Sequence, residues 1–471
     1  MKIRLGCGKA KMPSVALWCG GELHGKTDGK CDFEYVCTDS READGDTMFI
    51  ATRGERVDGH DYIASAIKNG CRCILCERIP DDVKDFDATF VVVGNSMDAF
   101  SSVGAGYRAN FPLNTVAVTG SVGKTTTKEL TASILQGCTR LYYTKGNFNS
   151  IIGMPMSLME ADSGCDTAIF EMGMSGLGEI RSMTKTAKPY VAMVTNVGSS
   201  HLEYLKTREN IARAKLEIAE GLRDGGYLLL NGDEPLLHTV KPEGEGNYTT
   251  LYVSVEGEGD IIAKNVSVSA DGTSFDLDFR GVRYEGLKIP LIGRAFVYNA
   301  TFAASAALLC GATEDNVREG LCSYHPEGLR QSISQKNGIS VIMDCYNAAP
   351  ESMRSAIDTL CAIDTKGRRI AVLGDMRELG ADSDELHRGV GVYLVKHGAD
   401  ALFTLGHGGA IIADAAKYAG MDEASVFSVP SVDDAEALAN MLSEFIAEGD
   451  TVLFKASRSL KMERVADRVF G

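Results

Sequence analysis

Gly120-Ser121-Val122-Gly123-Lys124-Thr125-Thr126 follows a short apolar run and brings together the residue types that hold a triphosphate. Small residues let backbone N–H groups curl around phosphate oxygens, and a helix N-terminus behind them adds its positive end. A lysine placed like Lys124 reaches the outer phosphates, and a hydroxyl placed like Thr125 faces magnesium. The strict form of this loop carries a glycine where the chain has Val118, so the motif is a shortened variant. The competing reading is a glycine turn that only happens to precede a helix, and the strand before it weighs against that. By itself the loop indicates a nucleoside triphosphate and leaves the reaction open.

Other polar residues fall just after apolar runs, where open α/β sheets collect their ligands. Glu171 follows 167–170, Asn196 and His201 follow 191–195, and Asn231 and Asp233 follow 227–230. A hard cation beside a triphosphate takes oxygen ligands, which suits Glu171. His201, taken alone, reads as a loop or packing histidine. Lys215, with Glu217 and Glu220 nearby, reads from periodicity as a lysine on a solvated helix.

Elements that could position these residues are visible in the alternation of strand-sized apolar runs with helical patterns. That alternation predicts an α/β fold of mostly parallel sheets covered by helices. Three domains are expected. Residues 1–110 form a small α/β block with strands at 47–50, 73–76 and 89–93 and a helix at 61–68. Residues 111–322 form a central P-loop-type domain with strands at 115–119, 167–170, 191–195 and 227–230 and a helix at 124–135. Within it, 249–291 reads as an added antiparallel β-region, because 273–279 alternates with period two. A helix at 299–310 closes this domain. Residues 323–471 form a Rossmann-like domain with strands near 340–343, 370–373, 401–405 and 451–454.

Bulk properties are permissive. The 471 residues exceed one hydrophobic core and imply about two to four domains. No run is long and apolar enough for a membrane span, and the N-terminus lacks the apolar stretch of a signal peptide. Thirteen scattered cysteines suit a reducing cytoplasm. A net charge of −16 argues against a nucleic-acid partner and against anionic lipid.

The order of several motifs resembles the Mur ligases of peptidoglycan synthesis. TGSVGKTT (119–126), GNFNSIIGMP (146–155), EMG (171–173) and TNVGSSHLEYL (195–205) carry the likeness in the central block. YNAAPESM (346–353), LGDMRELG (373–380) with His387, and KASR (455–458) resemble the member that acts last in that series. TDSR (38–41), Phe49 and VDGH (57–60) are similar to the family's UDP-sugar-binding domain.

The resemblance implies a cytoplasmic, monomeric ligase that uses ATP and Mg²⁺ to join D-alanyl-D-alanine to UDP-N-acetylmuramoyl-tripeptide through an acyl phosphate. It implies that Gly120, Ser121, Gly123, Lys124, Thr125, Thr126, Asn299, Arg330 and Asp344 bind ATP, with Asn299 at the adenine. Thr125 and Glu171 are implied to hold one Mg²⁺, and His201 and a carbamylated Lys215 a second. That reverses the bland reading of Lys215, since a carbamate is an anion. Lys124, Lys215 and His201 are the implied catalytic set. Ser40, Arg41, Asn147, Asn149, Tyr346 and Asn347 are implied to contact substrate.

The chain departs from the family pattern at Ala295 and Phe296, where His-Asn is usual, and at Met343, Cys345, Ala349 and Ala456. A ligase with another amine acceptor, and a nucleotide-binding relative without ligase activity, are therefore the competing readings. Cys71, Cys73 and Cys76 lack a second ligand pair and read as core cysteines rather than a metal site. GHGG (406–409) reads as a helix-start loop, and 81–87 as a solvated acidic loop.

Overall fold

Valine, alanine, isoleucine and leucine fill the strands that carry the phosphate loop and its neighbours, and these strands are buried on both faces. Asn114–Thr119, Thr167–Glu171 and Val191–Val194 are buried almost throughout, as parallel strands covered by helices on each side must be. A computed structural model describes residues 1–25, 32–54, 57–243, 246–326 and 328–471. It contains three large sheets.

The central sheet has nine strands. In spatial order they are Leu141–Tyr143, Thr167–Glu171, Asn114–Thr119, Val191–Val194, Tyr227–Asn231, Thr249–Ser254, Ile261–Ser269, Gly272–Phe279 and Val282–Ile289. The first seven pair in parallel and the last three antiparallel. The antiparallel expectation for 249–291 needs correction at its start. Thr249–Ser254 continues the parallel sheet, and only Ile261–Ile289 forms the antiparallel extension. Period two in 273–279 was a true strand signal, but it cannot say which neighbour an adjoining run will choose.

Register sets the site. Glu171 lies opposite Val118, and Val194 opposite Thr119. The loops leaving these strands therefore emerge at one level, beyond the carboxyl edge of the sheet. Helix Lys124–Leu135 starts straight from the loop and packs on Ala295–Leu309. The latter begins four residues earlier than its apolar pattern predicts. Its buried Ala300, Ala303, Ala304 and Ala307 allow the two helices to approach closely.

The first sheet runs Lys2–Arg4, Tyr35–Cys37, Thr47–Ile50, Cys73–Cys76, Thr89–Val92 and Glu22–Gly25, parallel except at its two edges. The helix expected over 61–68 is a 3₁₀ turn at Gly59–Tyr62 followed by Ile63–Lys68. Cys71, Cys73 and Cys76 are buried core residues. The last sheet runs Ser332–Lys336, Ile339–Met343, Thr451–Lys455, Arg369–Gly374, Ala401–Leu405 and Val426–Val429, antiparallel only at the first pair. Its GHGG segment opens helix His407–Tyr418, where Asp375 Oδ1 accepts the Gly409 N–H at 3.0 Å. A Cβ on Gly408 would lie 2.3 Å from His387 Nε2, so the glycine serves close packing. No described helix is long and apolar enough to cross a membrane.

Candidate active site

The carboxyl edges of the central and last sheets face one cavity of about 640 Å³. Its lining includes the phosphate loop, Asn149, Glu171, His201 and Asn299 from one side, and Arg330, Asp344, Tyr346, Asn347 and Lys455 from the other.

Neighbouring backbone shapes the loop. Gly120 has φ +155°, and a Cβ there would fall 1.9 Å from Thr195 Oγ1. Gly123 has φ +82°, and a Cβ there would fall 2.4 Å from Asn299 Oδ1. Both positions thus require glycine. The Ser121 and Val122 N–H groups donate to Asn196 Oδ1 at 2.9 Å each. Gly198 N–H donates to Ser121 Oγ at 2.9 Å, and Thr195 Oγ1 donates to the Val122 carbonyl at 2.7 Å. These bonds leave the first N–H groups of helix Lys124–Leu135, which no carbonyl of that helix can satisfy, to meet an anion.

Lys124 folds over the loop, its Nζ 2.8 Å from the Gly120 carbonyl. Burial pushes its pKa down, against the pull of Glu171 and with the help of Arg330. Glu171, nearly buried, accepts from Thr125 Oγ1 at 2.9 Å and from Asn149 Nδ2 at 2.8 Å. Lys128 Nζ stands 3.9 Å away but donates to the Thr144 carbonyl. A hydroxyl beside a carboxylate is an all-oxygen donor set that fits Mg²⁺, a cation that takes few protein ligands and fills its shell with phosphate and water.

His201 adopts a left-handed conformation, φ 69°, and its Nδ1 lies 2.6 Å from Glu378 Oε2. That contact joins the two walls and holds the Glu378 carboxyl below the usual glutamate range. Lys215 overturns the solvated reading. It is 2 % exposed on helix Arg208–Leu216, near Lys124 but not itself in the cavity lining. Burial, then the nearby Lys124 ammonium, push its pKa well below the lysine range. Glu217 is buried as well, holding the Gly178 and Arg181 N–H groups.

On the facing wall, Lys455 is buried and donates to Asp344 Oδ2 at 2.6 Å and to the Asn347 carbonyl at 3.2 Å. The Arg330 guanidinium lies 3.8 Å from the centroid of the Tyr346 ring. Asn299 is buried and accepts from Thr127 Oγ1 at 3.3 Å, and Phe296, Tyr298 and Tyr324 line the same cavity.

Three implied substrate residues lie apart. Asn147 is exposed and outside the lining, although its neighbour Asn149 is within it. Ser40 and Arg41 belong to the first block, after strand Tyr35–Cys37. Arg41 is largely exposed and pairs in bidentate fashion with Asp39, at 2.9 and 2.6 Å. Conversely, Glu351 and Glu378 reach the site unassigned by sequence reasoning. Both sit inside quoted motifs, but nothing local marks a glutamate as one that will cross to another sheet.

This two-walled nucleotide cavity is matched by what the chain resembles. Family models described as Mur ligase family, catalytic domain, Mur ligase middle domain, and Mur ligase, glutamate ligase domain match residues 32–106, 118–307 and 330–458. The chain belongs to the Mur ligase family. The UDP-N-acetylmuramoyl-tripeptide--D-alanyl-D-alanine ligase of Bacillus subtilis is 34% identical, over 91% of this chain and 92% of that one. The enzyme of the same name from Escherichia coli is 33% identical over 94% and 95%. Among solved structures, MurF from Acinetobacter baumannii superposes with a TM-score of 0.88 at 28% identity, covering 99% of this chain and 100% of that one. MurF ligase from Thermotoga maritima in complex with ADP gives 0.80 at 30% identity, over 92% and 96%.

Proposed function

We infer that the protein is an ATP-dependent ligase that joins D-alanyl-D-alanine to UDP-N-acetylmuramoyl-tripeptide in peptidoglycan precursor synthesis. One observation carries this reading. A phosphate loop with a carboxylate and hydroxyl beside it faces a cationic and polar wall from another sheet, in a chain that aligns nearly end to end with ligases of that name.

The terminal carboxylate of the tripeptide attacks the γ-phosphorus of ATP, giving an acyl phosphate and ADP. The dipeptide amine then attacks the acyl carbon, and the tetrahedral species collapses to amide and inorganic phosphate, with one proton released. Positioning and charge neutralisation are what such a sequence asks of a protein. The roles we assign follow from the contacts. Lys124, together with the Ser121 hydroxyl and the N–H groups of Gly123 and Thr126 at the helix start, holds the phosphates, and Gly120 shapes the turn beneath them. Arg330 and Asp344 close on the nucleotide from the other wall, Asn299 and its aromatic neighbours border the base, and Asn149, Tyr346 and Asn347 face the peptide end. Thr125 and Glu171 would hold a magnesium ion, which neutralises phosphate charge when bound.

Lys215 supports a carbamate at a second such position, together with His201. Carbon dioxide adds only to a neutral amine, and the burial that pushes the Lys215 pKa down favours that form. Ser40 and the exposed guanidinium of Arg41 are assigned to the nucleotide end of the UDP substrate, since Arg41 is free to exchange Asp39 for a diphosphate. Asn147 is assigned with Asn149, two residues along the same loop. A division at 1–110, 111–322 and 323–471 puts one sheet in each domain.

Incubation with ATP, UDP-N-acetylmuramoyl-tripeptide and D-alanyl-D-alanine is the test. We expect ADP, phosphate and the pentapeptide product in equal amounts. Phosphate release with glutamate but not with the dipeptide would sink the reading.

A further inference from the structure

Segment 195–201 grips the phosphate loop along one edge, through Thr195, Asn196 and Gly198. Its other edge is gripped from the opposite wall. Glu351, in the first turn of helix Pro350–Ala362, accepts from both the Ser199 N–H at 3.0 Å and the Ser199 hydroxyl at 2.8 Å through its single oxygen Oε1. The approach is close. A Cβ on Gly198 would lie 2.8 Å from the Glu351 carboxyl carbon.

The local sequence explains why this glutamate reaches across. A first-turn acid often turns back to its own helix start, but the Ala349 N–H there is already taken by Ser352 Oγ at 3.0 Å. Two donors on one charged oxygen make a stronger tie than a neutral pair. At the far end of the segment, Glu378 of the same wall approaches His201 and accepts the Glu203 N–H on its carbonyl at 3.2 Å.

We propose that Glu351 is a positioning residue, a clasp that holds segment 195–201 to the last domain and so transmits closure of the cavity to the phosphate loop. The proposal rests on the ligase reading for its turnover assay, but the closure itself is read independently. Glu351 bonds Ser199 and not the phosphate loop itself. In Glu351→Ala, the affinity for an ATP analogue measured without other substrates should therefore stay near that of the native protein. Its kcat/KM for ligation should fall about tenfold or more, in line with loss of a charge-assisted bond. Glu351→Gln keeps an acceptor oxygen and should recover part of that loss. Gly198→Ala, which wedges the contact open, should reproduce it.

Small-angle scattering of the full chain with tripeptide nucleotide and a non-hydrolysable ATP analogue should show compaction in the native protein and less in Glu351→Ala and Gly198→Ala. Native compaction and turnover in both variants would overturn the clasp. So would an equal loss of ATP-analogue affinity, which would make Glu351 part of the nucleotide site. If the native protein compacts but does not join the dipeptide, the ligase reading fails and the scattering still decides the clasp.

Discussion

The two walls of the cavity are built differently. On the central wall, the phosphate loop, Glu171 and Lys215 all come from one sheet and its covering helices. Thr195, Asn196 and Gly198 bond the loop from behind, and Glu171 is held by two side chains before any ligand arrives. On the facing wall, Tyr346 and Arg330 stack on each other, and Asn347 is exposed. Lys455 there is tied firmly to Asp344, and the wall meets its opposite at Ser199, His201 and Glu203 and again at Thr359, which donates to the carbonyl of Ile292, a residue packed into the last domain's core. A charge-handling site gains from donors that need no reorganisation at the moment of reaction. The wall that must admit and release two substrates is joined to it at separate points, polar at Ser199 and apolar at Ile292. The phosphate-handling donors are thus preorganised within one domain, and the facing wall adds its own charged groups.

Substitutions that respect this division separate its parts. The largest effect is expected on the rigid wall. Lys215→Ala should lower kcat by about a thousandfold, with partial recovery in excess bicarbonate or a short carboxylate. Unimpaired turnover in steady-state assays would remove the carbamate from the mechanism. A smaller effect is expected across the seam. Lys455→Met strips the partner from Asp344 and should reduce kcat/KM by about ten- to hundredfold, chiefly through a higher KM for ATP. A pure fall in thermal stability with kinetics intact would make Lys455 a packing residue.

The smallest effect should come from outside both walls. In the antiparallel extension, Arg283, the Gly286 N–H and Asn265 hold the Asp276 carboxyl at a pKa of about 2. A depressed carboxylate contributes stability above its unfolded pKa, near 4, and loses it as pH falls through its folded one. With Arg283 half exposed, Asp276→Asn should cost about 1 kcal/mol at neutral pH. In denaturant titrations the difference from the native protein should shrink between pH 4 and 2. Turnover at neutral pH should not change; a kinetic defect would mean that the extension is coupled to the site.

What the chain order reveals depends on how local the chemistry is. The phosphate loop is contiguous, its glycines answer to Thr195 and Asn299, and its strand and helix are adjacent, so it is legible residue by residue. The alternation of apolar runs also predicts three α/β sheets, because parallel strands buried on both faces leave that pattern. The choice of partner by Thr249–Ser254 is not legible, since a strand's neighbour is set by register and twist across the sheet.

Lys215 shows the limit most clearly. Its helix is polar enough to read as solvated, and only tertiary packing makes it 2 % exposed and pushes its pKa well below the lysine range. Glu351 and Glu378 are similar cases. Their motifs mark the region, but a carboxylate becomes part of a site only when another domain brings donors within 3 Å. The sequence by itself therefore determined the triphosphate loop, the metal-suited Glu171 and the α/β architecture, all of which depend on neighbours along the chain or on one strand's pattern. Tertiary structure alone decided the burial of Lys215, the pairing of the two walls and the contact of Glu351 between them. Burial and long-range approach set those energies, and neither is encoded in any short stretch.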